Sequence, residues 1–178
     1  MTVGLTYRPP GATHPEDHHW DTDIPGFRRF ERTVTIGSGA EFWHSAAEEV
    51  LRWGIKRRSG FRVLPCAEAT DRVAPGAEYR IAAGWGPVTV YEPVRVVRVV
   101  ELPDRCGFAY GTLAGHPVSG EEAFIVHRDA DDTIHLTLRS LTRPAPSGVW
   151  RSAFPIVLVA QRFYRHRYLR VMKTPASR

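Results

Sequence analysis

Apolar and polar positions change rhythm three times along this chain. From Phe27 to Gly37, FRRFERTVTIG alternates through Phe30, Arg32, Val34 and Ile36, the two-residue period of a half-buried strand, and GSG closes it. The period then lengthens. Phe42, Ala46, Val50 and Trp53, flanked by Trp43, Ala47 and Leu51, recur at three- and four-residue spacings and predict a helix from about Gly39 to Ile55 with one broad core-facing stripe. Ser38 stands three residues before Glu41, where each side chain can satisfy the other's free backbone donor, so a capping box is expected at the helix start. The Gly-Ser-Gly lacks the lysine and spacing of a phosphate-binding loop, and ordinary capping is the preferred reading.

After Gly60 the period shortens again. FRVLPC, AEYRIAAGW, VTVYEPVRVVRVVEL, RCGFAYGTL, EEAFIVHRD and TIHLTLRSLTR are β-branched and aromatic-rich runs separated by turn signals such as APG, WGP, LPDR, AGHP and DADD. The intervals leave no room for crossover helices, so an antiparallel meander follows. From Ser147 to about Met172 the helical period returns, with Pro155 tolerable only near the first turn. Every element then has one apolar side to hide. The predicted class is α+β: a curved antiparallel sheet of about seven strands gripping a long C-terminal helix, with an N-terminal helix after the first strand, and a cavity between helix and sheet. Residues 1–26, rich in Pro, Gly, Asp and His without either period, read as an irregular arm, 27–173 as one domain and 174–178 as a tail.

Composition narrows this picture. A chain of 178 residues with 43% hydrophobic content suits one core. The longest apolar stretch, AFPIVLVA from Ala153 to Ala160, is far short of the roughly 20 residues that span a bilayer, and no leader pattern is visible. The expected location is the cytosol. Cys66 and Cys106 have no partners at metal-site spacing and read as packed thiols. Arg-, Ala- and Val-rich usage suggests a bacterial-style protein.

The net charge of +5 is unevenly placed. From Thr133 to Arg178 there is no Asp or Glu, while Arg139, Arg143, Arg151, Arg162, Arg165, Arg167, Arg170, Lys173 and Arg178 are cationic. A solvated helix face is favoured over a binding role for this basic end; if it binds, an anionic membrane surface is the alternative partner, and nucleic acid is not expected. Oligomeric state is left open.

The stretch GFAYGTLAGHPVSGEEAF, with EPVRVV before it and SLTRP from Ser140 to Pro144 after it, resembles the uncharacterised family known as domain of unknown function 1990, or the UPF 0548 group. Trp53, Gly60, Phe61, Val73, Gly76, Gln161 and Tyr164 are further marks, and the resemblance spans about Phe27 to Val171. It implies a helix-grip fold of the Bet v 1 and START-like kind and assigns no reaction. Val118 stands where members often carry an acid.

The candidate chemistry centres on that stretch. Strand alternation sends Glu121 and Glu122 to opposite faces, so they cannot share a proton as a side-by-side pair. Glu122, in phase with Phe124 and Val126, is the inward one. His116 with Glu122 is the candidate acid–base pair of an enzyme acting on an enclosed substrate; the simpler reading makes His116 a turn residue. Projected at 100° per residue, Phe154, Val157, Leu158, Gln161, Tyr164, Arg165, Tyr168 and Met172 share one face of the last helix. A small, largely apolar ligand is therefore the expected partner, met by Tyr110, Glu122, Phe124, Gln161, Tyr164, Arg165 and Tyr168.

Neither metal nor cofactor is expected, because no ligand set has the required spacing. His14, Glu16, Asp17, His18, His19, Asp21 and Asp23 are the right residue types, but on a segment without an evident scaffold they read as a solvated arm or lid. His127 and His135 read as an exposed cross-strand contact.

Overall fold

The computed structural model describes residues 4–67, 69–84 and 89–173; the tail at 174–178 and the WGP turn at 85–87 lie outside them. The alternating runs form β1 (Arg28–Ser38), β2 (Arg62–Pro65), β3 (Glu78–Ala83), β4 (Val90–Glu101), β5 (Arg105–Thr112), β6 (Val118–Arg128) and β7 (Thr133–Pro144). They pair antiparallel in the order β1-β7-β6-β5-β4-β3-β2. The meander is thus continuous from β2 to β7, and β1 returns to the free edge of β7. Phe108, Tyr110, Phe124, Leu136 and Leu138 line the core face of the sheet, while Ala109, Ala123 and Ile125 lie on the other face. A bulge in β4 between Val96 and Arg98 slips the alternation by one, so Val96 before it and Val99 after it oppose the inward Tyr110 and Phe108.

The expected helix over 39–55 is two helices, α1 (Ala40–Leu51) and α2 (Gly54–Arg58). Trp53 sits between them with φ +62°. A left-handed residue costs about 1–2 kcal/mol. In return, the Trp53 ring is buried against Phe108, Tyr79 and Tyr110 at centroid distances of 4.6, 4.9 and 5.2 Å, and a buried tryptophan side chain is worth about 3–5 kcal/mol. Burial wins. The next residue must be glycine, since a Cβ on Gly54 would lie 2.7 Å from the Glu49 carbonyl oxygen. The capping box is also absent: Ser38 is held in β1 opposite Thr133, Gly39 is the N-cap, and its N–H donates to the Asp132 carbonyl at 3.0 Å.

The closing segment is likewise two helices, α3 (Val149–Ser152) and α4 (Phe154–Val171). Pro155 falls in the first turn of α4, where its missing N–H breaks no helical bond. The face carrying Tyr164, Tyr168 and Met172 packs on the core. On the outward side Val149, Ile156, Val159 and Phe163 are 63–74% exposed, among the exposed Arg151, Arg162, Arg167, Arg170 and Lys173. Among the described residues no helix is long and apolar enough to cross a membrane.

The N-terminal arm is irregular, and while Asp17, His18, His19, Asp21 and Asp23 are exposed, part of it is buried. Tyr7, Ala12, Thr13 and Trp20 are buried, because the arm crosses the outer face of the sheet and finds there the donors and acceptors that a loop needs. Glu121 accepts from the Gly11 N–H at 2.7 Å, the Thr13 N–H at 2.8 Å, the Thr13 hydroxyl at 2.5 Å and the Tyr7 hydroxyl. Arg105 donates to the carbonyls of Pro15 and Asp17 at 2.6 and 2.8 Å, and Arg139 to those of His14 and Asp17 at 2.5 and 3.0 Å. The arm is a strap on the face opposite the closing helix, not a lid. Among the described residues no three His, Cys, Asp or Glu side chains gather at metal-binding distance.

Candidate functional site

Four elements converge under the closing helix. The break at Trp53 turns α2 so that Lys56 points into the core, where it is 4% exposed. Its ammonium lies 3.1 Å from Glu122 Oε2 and donates to the Tyr168 hydroxyl at 2.8 Å. Tyr110 sits opposite Glu122 in the β5–β6 register and donates to the same Oε2. The aromatic rings of Tyr168 and Phe61 stand 4.7 and 4.9 Å from the ammonium, and they help stabilise this buried cation.

Electrostatics keeps Lys56 charged. Burial pulls the Lys56 pKa down, but Glu122 and the neighbouring Tyr110 and Tyr168 outweigh it and leave the group well above its ordinary value. Burial, with Glu122, raises Tyr110. Tyr168 is likewise raised, chiefly by burial, so both phenols keep their protons as donors. Glu92 on β4 is raised as well, because burial and the Glu122 charge outweigh the pull of Lys56.

Above the cluster is a cavity of about 350 Å³, within the roughly 300–1,000 Å³ of small-molecule sites. Glu92, Tyr110 and Glu122 line its sheet side, and Trp150, Val157, Gln161, Tyr164, Arg165 and Tyr168 its helix side. Phe124 lies behind this wall, in the packed core. Two polar atoms on the helix side are unpaired. Gln161 Oε1 and Arg165 Nε are buried without a hydrogen-bond partner, although Arg165 Nη2 donates to Ser140 Oγ at 2.7 Å and its guanidinium lies 4.3 Å from the Phe30 ring.

His116 lines the cavity too, at the turn between β5 and β6. Its Nδ1 lies 3.1 Å from both the N–H and the carbonyl oxygen of Val118, so the backbone of the turn fixes the ring. Burial, helped by the Lys56 charge, pushes its pKa down to about 3, so the ring is neutral near pH 7. Among the described residues no hydrogen bond joins His116 to Glu122; each is held by other groups. Glu121 points the other way, into the strap. His127 and His135 pair across β6 and β7 with rings stacked at 5.2 Å.

Two members of this site escaped the sequence reading. Lys56 hides in the run IKRR, where nothing marks the first of three cations as the buried one. Glu92 carried a usable signal, since it shares its parity with the inward Val94 and Val96.

Residues 6–171 match the family model described as Domain of unknown function (DUF1990). A UPF0548 protein of Deinococcus radiodurans is 44% identical over 171 residues, covering 89% of this chain and 84% of that one. A UPF0548 protein of Arabidopsis thaliana is 28% identical over 165 residues, covering 89% and 77%. Among solved structures, a hypothetical protein of Helicobacter pylori superposes with a TM-score of 0.57 over 97% of this chain and 96% of that one. At 13% identity, that likeness speaks for the fold alone.

Proposed function

The chain belongs to the DUF1990 family, with the helix-grip architecture, and on that premise we propose that it holds a small, largely apolar molecule in the cavity between the sheet and α4. The observation that carries this reading is the pairing of an open volume of about 350 Å³ with two buried polar atoms that have no partner in the protein. Such atoms cost about 1–3 kcal/mol each when left unpaired, and a ligand removes that cost. Tyr110, Glu122, Tyr164 and Tyr168 then form a polar floor beneath an apolar guest.

Native mass spectrometry of freshly purified protein is expected to show a copurifying small molecule, and a neutral apolar dye to bind with a fluorescence gain. Val157→Trp, which fills the space, is expected to weaken dye binding by about tenfold or more while the fold is kept. A protein that carries no extra mass and excludes the dye would sink the reading.

A second reading concerns the outward face of α3 and α4. Exposed Val149, Ile156, Val159 and Phe163 beside Arg162, Arg167 and Arg170 combine apolar surface with a positive field, the pattern that adsorbs to anionic lipid. Cosedimentation with phosphatidylglycerol vesicles is expected, with a several-fold loss in Phe163→Asp. Equal binding to neutral phosphatidylcholine vesicles, unchanged by salt, would count against it.

A further inference from the structure

Resting on the cavity reading, we propose that the ligand is an amphiphile with a carboxylate head, its anion received by Arg165 beside Gln161 and its tail lying against Trp150, Ala153 and Val157. The argument begins with the pairing of charges. Lys56 and Glu122 neutralise each other at 3.1 Å, and Glu122 Oε2 also accepts from Tyr110. Glu92, the other carboxylate facing the cavity, is raised by burial and by the Glu122 charge and has no ion-pair contact with Arg165. Arg165 is the cation left over: among the described residues it has a hydroxyl and an aromatic face for company and no carboxylate at ion-pair distance. A guanidinium has five donors and no acceptor. Arg165 spends one on Ser140, and its Nε–H is buried and idle.

Shape selects the anion. The Nε edge of a guanidinium presents parallel donors that match a planar carboxylate. Gln161 stands one helical turn before Arg165, so its unpaired amide end is brought to the same region of the wall. Turned either way, that amide serves the head, giving an N–H to the anion or accepting from a hydroxyl beside it. A doubly charged head such as a phosphate monoester would leave one charge unmatched, because Lys56 is already engaged by Glu122. The unionised Tyr110 and Tyr168 hydroxyls and the neutral His116 ring add no second cation. On the helix side Trp150, Ala153, Val157 and Ala160 are apolar and suit a hydrocarbon tail.

The test compares dodecanoate with dodecan-1-ol, the same tail with and without the charge, by titration calorimetry on the full chain. The wild type is expected to favour the carboxylate by about tenfold or more. Arg165→Gln is expected to bring that ratio close to one, and Gln161→Leu to lower it by a smaller factor, which supplies a second variant should the first not fold. Equal affinity for the two probes in the wild type, or an unchanged ratio in Arg165→Gln, overturns the acidic head while leaving the cavity reading intact. If the wild type binds neither probe and also excludes a neutral apolar dye, the cavity reading fails and this inference with it.

Discussion

Lys56→Met is expected to cost about 3–5 kcal/mol of stability, the loss seen when one partner of a buried ion pair is removed and the other is left uncompensated. For a chain of this size that corresponds to a fall in melting temperature of roughly 6–20 °C. The cause lies in what remains. Glu122 keeps the Tyr110 hydroxyl as a donor but loses the ammonium 3.1 Å away, and Tyr168 loses the donor at 2.8 Å. Glu92, already raised by burial and by Glu122, loses the nearby cation that favours its charged form. The double variant Lys56→Met, Glu122→Leu should regain most of the loss, since no unpaired charge is then buried. Thermal melts of the two variants check this; a single variant within about 0.5 kcal/mol of wild type would show that water reaches the cluster.

Glu121→Ala acts on the other side of the sheet. Its carboxylate, 3% exposed, is the acceptor for Tyr7, Gly11 and Thr13, and hydrogen bonds to a charged group contribute about 1.5–3 kcal/mol each. They are not additive, but a total loss of at least about 3 kcal/mol follows, because the orphaned N–H groups of Gly11 and Thr13 lie in buried surroundings. The effect should be local before it is global. Trp20 is buried with Ala12 and Leu141, so a loosened strap would red-shift its fluorescence and open residues 5–20 to proteolysis. Unchanged protease resistance of this segment would show that Arg105 and Arg139 hold the strap unaided.

The two faces of β6 were legible in the sequence because alternation is a rigid rule: once Phe124 and Val126 are inward, so is Glu122, and Glu121 is not. The meander and the long closing segment follow from the same periodicities. What periodicity hides is any element that departs from it. Trp53 occupies a helical position in the pattern and a left-handed one in the fold, and the turn it creates is what delivers Lys56. Nothing in IKRR announces that. The strap is a second case, since its burial depends on backbone groups meeting Glu121, Arg105 and Arg139, and backbone groups leave no trace in a hydropathy pattern. Gln161 and Arg165 lay on the predicted face of the last helix, but only the folded packing leaves Gln161 Oε1 and Arg165 Nε buried without partners.

The strand order leaves β1 and β2 at the two margins of the sheet, and each margin is a row of backbone groups available to a neighbouring molecule. β2 spans only Arg62–Pro65, and its last residue has no N–H to offer, so little template is presented there. β1 is long, Arg28–Ser38, but it carries Arg28, Arg29, Glu31 and Arg32 and a bulge between Thr35 and Gly37, which set charge and a kink against strand addition. A sheet bordered in this way resists edge-to-edge growth into fibrils, and the protein can present its cavity face without its sheet margins recruiting further copies.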